Sequence, residues 1–178
     1  MVGFAATAMR LSNEILISQS RIQERVAALA AAIAADTPDG TTLSVLALLD
    51  GAFMFCSDLV RSLPMPVNLA LVPVRSVARG GDPAGLVLPP EFPIEDADLL
   101  VIEDILDTGR TLAALRVRLQ QFRPRRLRTA VLLDKPARRE IEYQPFYLGF
   151  RIPDRWVVGY GLDWNGLYRN LPYISYVE

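Results

Sequence analysis

The feature that most constrains the fold is an apolar run that passes directly into acidic residues and then into a Thr/Gly turn. Residues 99–102 read Leu-Leu-Val-Ile, Glu103 and Asp104 follow, and after two more apolar residues the chain reads Asp-Thr-Gly-Arg-Thr over 107–111. A continuous apolar run is typical of a strand that is covered on both faces, as in a parallel sheet. We therefore predict a buried strand that ends at the acidic pair, followed by a turn that opens a helix at Thr111.

Strands and helices alternate along much of the chain. Apolar residues at helical spacing predict a first helix that ends near 36–40, namely Ile22, Val26, Leu29 and Ile33. The pattern then predicts strands at 43–49, 67–74, 99–102 and 127–133, and helices at 52–63 and 111–122. This alternation indicates an α/β fold with a parallel sheet, in which ligands bind at the carboxyl ends of the strands. Residues 50–51 and 134–135 and the acidic run fall at such ends, so we expect them to share one site.

The turn at 107–111 has the chemistry of a phosphate site. Its backbone N–H groups, the hydroxyls of Thr108 and Thr111, and the positive end of the helix dipole all favour an anion. Glu103 and Asp104, when ionised, can only accept hydrogen bonds, and ribose hydroxyls are suitable donors. A plain strand-to-helix connection with an Asp N-cap is the alternative, but it accounts for one carboxylate rather than three. The run therefore predicts a sugar-phosphate site.

Composition excludes several classes of protein. The chain has no His, which excludes Ser-His-Asp and Cys-His catalysis and His-ligated zinc. A formal net charge of -1 provides no basic surplus for nucleic acid or an anionic membrane, so we expect neither partner. The single Cys56 is expected in the core of a cytoplasmic protein. At 178 residues, without a signal peptide or linker that we can identify, the chain is expected to form one domain spanning 1–178.

The acidic run and turn resemble the phosphoribosyl pyrophosphate (PRPP) signature of type I phosphoribosyltransferases. The segments 132–136, 152–163 and 168–174 also look like the purine-binding hood of the hypoxanthine-guanine phosphoribosyltransferases. Residues 51–55 and 58–59 match the segment that follows that family's pyrophosphate loop. The resemblance implies the type I phosphoribosyltransferase fold: a mostly parallel central sheet flanked by helices, with a small hood formed by roughly 1–20 and 150–178.

The resemblance also implies a role for each matching residue. Asp107 is expected near purine N7 as the general base, and the base is expected to contact Lys135 through its 6-oxygen, Trp156 by stacking, Val157 through the backbone, and Asp163. The phosphates of PRPP are expected to contact Thr108, Gly109, Arg110, Thr111, Asp50, Gly51 and Arg169. Mg²⁺ is the expected cofactor, held by Asp163 through water and by Glu103 and Asp104, which also lie near the ribose.

Each of three hood and purine residues also has a simpler interpretation. Trp156 could fill the core, Lys135 could be a surface lysine, and Arg169 could pair with Asp163 or Glu178 on the surface. Their joint order and spacing favour the purine site instead.

Two departures from the family's pattern bear on activity. Asp50 stands where the family's pyrophosphate loop usually has a basic residue, in a loop that the resemblance implies is built around a non-proline cis peptide. The stretch 73–79 lacks the family's Ser-Tyr pair, which folds over the site, and Arg75 or Arg79 is the candidate replacement.

The sequence therefore predicts an enzyme that transfers 5-phosphoribose from PRPP to hypoxanthine or guanine, with Mg²⁺, as a homodimer or homotetramer. The alternative is a weak or inactive nucleotide-sensing regulator, including an RNA-binding one, that retains the PRPP fold.

Overall fold

The computed structural model describes residues 10–73 and 88–178. In this part of the chain the helices are α1 (Gln19–Ala35), α2 (Phe53–Arg61) and α3 (Arg110–Gln120), with a short 3-10 helix at Pro136–Arg138. The strands are β1 (Leu43–Leu49), β2 (Val67–Pro73), β3 (Asp98–Leu106), β4 (Arg126–Asp134), β5 (Tyr147–Arg151), β6 (Val157–Val158) and β7 (Ser175–Tyr176).

The five longer strands form one parallel sheet in the order β2-β1-β3-β4-β5. This confirms the predicted α/β class and the four predicted strands. The sequence analysis did not predict β5, in which Tyr147 alone is fully buried, because the strand lacks a continuous apolar run.

The predicted end of the third strand is wrong. β3 does not stop at Ile102 but continues through the acidic pair, with Glu103 opposite Val131 and Leu106 opposite Asp134 of β4. Pairing with β4 supplies hydrogen-bond partners for the backbone of residues 103–106, and the acidic side chains do not disturb this pairing. The acidic pair therefore lies on rigid strand backbone, and the turn begins only after Leu106.

The three central strands, β1, β3 and β4, are covered on both faces, as their apolar runs predicted. One core cluster packs the sheet against α1, α2 and the C-terminal segment, and it includes the free Cys56. The other packs the sheet against α3 through Leu112, Leu115 and Leu119. These two layers hold the carboxyl ends of β1, β3 and β4 side by side at one edge.

The C-terminal segment folds above that edge. β6 and β7 form a small antiparallel sheet, and isolated bridges join Leu11 to Val177 and Ile17 to Ile174. The N-terminal and C-terminal segments therefore pair with each other, although residues 1–9 of the predicted hood lie outside the described part of the chain. Within the described residues, no helix is long and apolar enough to cross a membrane.

Candidate active site

Ten of the predicted site residues line one cavity of about 350 Å³ at the carboxyl edge of the sheet. They come from the ends of β1, β3 and β4 and from the C-terminal segment: Asp50, Gly51, Glu103, Asp104, Asp107, Lys135, Trp156, Val157, Asp163 and Arg169. An adjoining cavity of about 280 Å³ shares Glu103 and Asp107 and is lined also by Thr108, Gly109 and Thr111. The residues expected to share one site therefore lie around two adjoining cavities at one edge of the sheet.

The phosphate turn, residues 107–111, is fixed by its glycine. Gly109 has a φ of +84°, and a Cβ built there would lie 2.2 Å from the carbonyl oxygen of Ile141. A side chain is excluded by both the backbone conformation and this contact. The first amides of α3, which begins at Arg110, have no intrahelical acceptors. The Arg110 amide makes a long hydrogen bond of 3.4 Å to Oγ1 of Thr108, so this end of the helix presents that hydroxyl and the following amides to an anion beside Gly109.

Arg110 contributes less than the sequence suggested. Its side chain lines neither cavity, and Nε donates to Oε2 of Glu140 at 2.6 Å. The expected phosphate contact of Arg110 is therefore limited to its backbone N–H at the start of α3.

A segment that sequence reasoning did not assign to the site holds the phosphate turn from outside. We call residues 138–141 the clamp. Two consecutive amides of the clamp donate to the carbonyl oxygen of Thr108 at 2.9 and 3.0 Å. Arg139 donates from Nη1 to the carbonyl oxygen of Asp107 at 2.6 Å and pairs with Asp134 through Nη2. The run of basic residues was visible in the sequence, but these contacts depend on the tertiary fold.

Lys135 and Asp107 face the same part of the cavity. Lys135 is only 9% exposed, so the interpretation as a surface lysine is wrong. Burial lowers the pKa of Lys135, while the charges of Asp107 and Asp154 act in the opposite direction. Oδ1 of Asp107 lies 3.3 Å from Nε of Arg138 in the clamp. A buried cation and a carboxylate are thus presented together to any base in the cavity.

The acidic pair on β3 is crowded and desolvated. Burial, followed by the charge of Asp104, raises the pKa of Glu103 well above its usual value. Burial also raises the pKa of Asp104, although Oδ1 accepts a hydrogen bond from the Ile105 amide at 2.8 Å. A Cβ at Gly51 would overlap the Asp104 carboxylate. Two carboxylates in this environment favour ligands that bring hydroxyl donors or positive charge.

Arg169 connects the loop after β1 to the C-terminal segment. Its Nη2 lies 2.9 Å from Oδ1 of Asp163 and 3.9 Å from Oδ2 of Asp50, and Nη1 donates to the carbonyl oxygen of Gly161 at 2.6 Å. The pairing with Asp163, foreseen as the simpler interpretation, is present, but it lies on the cavity wall. Asp50 follows a cis peptide bond, Leu49–Asp50, as the resemblance implied.

Trp156 is 54% exposed, so the interpretation as a core residue is wrong. Its Nε1 donates to the carbonyl oxygen of Asp163 at 3.1 Å. Trp164 meets it edge-on, with ring centroids 4.9 Å apart. Val157 is buried and pairs with Tyr176 between β6 and β7. The cavity thus has an aromatic wall held at its edge by a hydrogen bond.

In the described residues, no three carboxylate, thiol or imidazole groups converge as ligands of a metal. Mg²⁺ usually takes one or two carboxylates together with substrate phosphates and water, and does not require such a cage. The desolvated pair Glu103 and Asp104 is the kind of donor set that a divalent cation relieves. The loop residues Arg75 and Arg79 lie outside the described part of the chain.

Comparisons with known proteins agree with the observed fold. The phosphoribosyl transferase domain matches residues 13–165. The hypoxanthine-guanine phosphoribosyltransferase of Aquifex aeolicus is 36% identical over 93% of this chain and 94% of its own. The crystal structure of a Bacillus anthracis hypoxanthine-guanine phosphoribosyltransferase superposes with a TM-score of 0.86 and 35% identity, over 96% of this chain and 99% of that one. The structure of a Trypanosoma cruzi hypoxanthine phosphoribosyl transferase superposes with a TM-score of 0.85 and 33% identity, over 95% of this chain and 93% of that one.

Proposed function

The chain belongs to the phosphoribosyl transferase family, and we propose that it transfers the 5-phosphoribosyl group of PRPP to hypoxanthine or guanine, giving IMP or GMP and pyrophosphate. The observation that carries the proposal is that Asp107, Lys135 and Trp156 line one cavity beside the phosphate turn. The relatives named above are purine phosphoribosyltransferases, so the alternative of a regulatory sensor gains no support.

The purine is bound between the sheet edge and the C-terminal segment. A planar base stacks on the exposed face of Trp156, and the backbone of Val157 fixes its edge. The ammonium group of Lys135 donates to the 6-oxygen and disfavours adenine, which carries an amino donor there. Desolvation of Lys135 strengthens this contact because water does not compete for the ammonium group.

Asp107 acts on the proton that the base must lose. When N9 of the base bonds to C1 of the ribose, the bond from C1 to pyrophosphate breaks and its electron pair leaves with pyrophosphate. The proton on N7 passes to the Asp107 carboxylate, so the new nucleotide carries no excess charge. Two residues of the clamp, Arg138 and Arg139, hold Asp107 in position for this transfer.

The phosphates of PRPP are bound by two different parts of the site. The turn amides and the hydroxyls of Thr108 and Thr111 hold the 5-phosphate, and Arg169 with the Gly51 loop contacts pyrophosphate. Glu103 and Asp104 accept from the ribose hydroxyls, which relieves the desolvation cost of one half-buried and one buried carboxylate.

We further propose that Asp163, through water, and Glu103 and Asp104 hold Mg²⁺. When bound, the ion neutralises charge on the departing pyrophosphate. A cytoplasmic homodimer or homotetramer remains part of the proposal.

A spectrophotometric assay with PRPP and Mg²⁺ tests the function against hypoxanthine, guanine, xanthine and adenine. We expect turnover of the 6-oxopurines, and a loss of about a hundredfold or more in kcat for Asp107→Asn because the base is removed while the shape is retained. Asp154→Asn is the matched control, since Asp154 lies 4.0 Å from the same Arg138 but does not line the cavity. Absence of turnover with every base contradicts the proposed function; full turnover in Asp107→Asn contradicts only the role of Asp107.

A further inference from the structure

A tight turn in the C-terminal segment holds an aromatic residue in a backbone conformation that such residues rarely adopt. Gly159 and Leu162 exchange two backbone hydrogen bonds of 3.0 Å across this turn. The two residues between them, Tyr160 and Gly161, have φ values of +48° and +100°. Positive φ suits Gly but is uncommon for a bulky residue such as Tyr. A conformation of this kind persists only where other contacts of the residue hold it.

The contact that holds Tyr160 is made with α2. Its side chain is buried, and its hydroxyl donates to Oδ2 of Asp58 at 2.6 Å. Burial, followed by the bond with Asp58, raises the pKa of Tyr160, so the hydroxyl keeps its proton and remains the donor. Both residues and Met54 also line a separate cavity of about 190 Å³. The hydrogen bond therefore fixes the turn to α2 at a place where packing leaves space.

The turn, residues 159–161, lies directly against the loop after β1. A Cβ built at Gly161 would lie 2.2 Å from the carbonyl oxygen of Gly51, so the two backbones are in contact. The Cα of Gly51 meets the Asp104 carboxylate, which a Cβ there would overlap. The position of Gly51 is therefore set by β3 and by the turn together.

The same turn also fixes Arg169. The Gly161 amide donates to the carbonyl oxygen of Arg169 at 2.9 Å, and Nη1 of Arg169 donates back to the Gly161 carbonyl at 2.6 Å. Gly161 thus contacts both groups that the proposed function assigns to pyrophosphate, the Gly51 loop and Arg169. A displacement of the turn displaces both groups.

We propose that Tyr160 is a positioning residue for pyrophosphate: its hydrogen bond to Asp58 fixes the turn, and the turn places the Gly51 loop and Arg169. The inference rests on the proposed function and adds to it a residue that does not line the base cavity. The loop at Gly51 leads directly into α2, so the bond ties the turn to the same element that carries the loop. Without the hydroxyl, the turn and the loop can shift relative to each other, and such small misplacements are costly in a binding site.

Tyr160→Phe tests the inference, because it retains the ring and removes the hydroxyl. The assay measures KM for PRPP and hypoxanthine in the forward direction, and for pyrophosphate and IMP in the reverse direction. We expect the KM for PRPP and for pyrophosphate to rise by about three- to tenfold, the scale of one hydrogen bond. The KM for hypoxanthine and for IMP should stay constant, whereas a merely structural role of Tyr160 would raise all of these values.

Tyr176→Phe is the matched control. Tyr176 is also buried and donates its hydroxyl to a carboxylate, Oε2 of Glu14 at 2.7 Å, but this bond joins the C-terminal segment to the N-terminal segment instead of to α2. The control should lose stability to a similar extent and keep every KM. Asp58→Ala should reproduce the KM changes of Tyr160→Phe, whereas Asp58→Asn retains an acceptor oxygen and should keep the KM for PRPP.

An unchanged KM for PRPP and pyrophosphate in Tyr160→Phe overturns the inference, as does an equal rise for hypoxanthine, which indicates general loosening of the cavity wall. If Tyr160→Phe does not fold, Asp58→Ala decides the question by the same comparison. Calorimetric affinity for pyrophosphate with Mg²⁺ provides a readout without turnover. An unaltered protein that binds pyrophosphate but converts no base contradicts the proposed function alone, and the affinities of the variants still test the inference. An unaltered protein that binds no pyrophosphate overturns both.

Discussion

The sheet edge and the C-terminal segment contribute to the same cavity, but they hold their residues by different means. At the sheet edge, the acidic pair lies on the paired strand β3, and the phosphate turn is held by backbone bonds from the clamp. In the C-terminal segment β6 and β7 have two residues each, and backbone bonds such as that from Gly161 N–H to the Arg169 carbonyl join its turns. Side-chain contacts of Trp156 and Arg169 then complete the wall of the cavity.

This difference indicates a division of tasks. A backbone scaffold presents fixed amides, which suits the phosphate that every reaction cycle shares. Side-chain contacts can change one at a time without loss of the fold, which suits the recognition of different bases. Substitutions that alter the backbone of the sheet edge should therefore have larger effects than substitutions of side chains in the C-terminal segment.

Gly109→Ala is the strongest test of the rigid sheet edge. The methyl group would force Gly109 out of its positive φ and against the Ile141 carbonyl, which lies 2.2 Å from the Cβ position. We expect a loss of about 2 kcal/mol or more in the free energy of unfolding. The KM for PRPP should rise by about tenfold or more, equivalent to 1.4 kcal/mol. Urea denaturation and steady-state kinetics measure the two effects.

Gly166→Ala is the control for that substitution. Gly166 has a similar φ of +81°, but a Cβ there has nothing within 4 Å, so its loss of stability reports the backbone cost alone. If the two variants matched in stability, the contact with the clamp would contribute nothing to the phosphate turn.

Much of the sheet edge could be predicted from sequence because its signals are local. The apolar run before Glu103 and the Asp-Thr-Gly-Arg-Thr turn each indicate one element, and the topology of parallel sheets brings the strand ends together. The continuation of β3 to Leu106 was missed because it depends on pairing with β4, more than twenty residues later in the chain. The clamp, and the pairing that withdraws Arg110 from the site, were missed for the same reason.

Glu103→Gln should separate the two regions by the sign of its effect on stability. The folded-state pKa of Glu103 is raised above 4.5 by burial, so between the ordinary and the raised value the folded protein binds more protons than the unfolded chain. The free energy of unfolding therefore falls as pH rises through that window. Gln has no charge to desolvate, so we expect Glu103→Gln to have a larger free energy of unfolding than the unaltered protein at pH 8. This difference in stability should fade as the pH is lowered toward 4.5.

The comparison for Glu103→Gln is Asp163→Asn in the C-terminal segment. That carboxylate accepts from the Gly166 amide and pairs with Arg169, so its neutralisation should lower stability at pH 8. Both variants should raise the KM for PRPP. Thermal unfolding across pH measures the stabilities, and a loss of stability in Glu103→Gln at pH 8 would contradict the assignment of a desolvation cost to β3.

Asp50→Asn, where the two regions meet, should have the smallest effect. The Asp50 side chain lies 3.9 Å from Nη2 of Arg169, and because it is 79% exposed, solvent screens most of the attraction between the two charges. Without the Asp50 charge, Arg169 can pair with Asp163 and with pyrophosphate alone. The loop also carries one negative charge fewer. We expect the KM for PRPP to fall by about two- to threefold at low salt, and the difference to shrink at high salt as screening increases.

Asp50→Lys should lower KM further with no change in kcat. A higher KM in Asp50→Asn would instead mean that Asp50 orients Arg169 toward pyrophosphate, and that the loop after β1 positions the C-terminal wall as well as the phosphates.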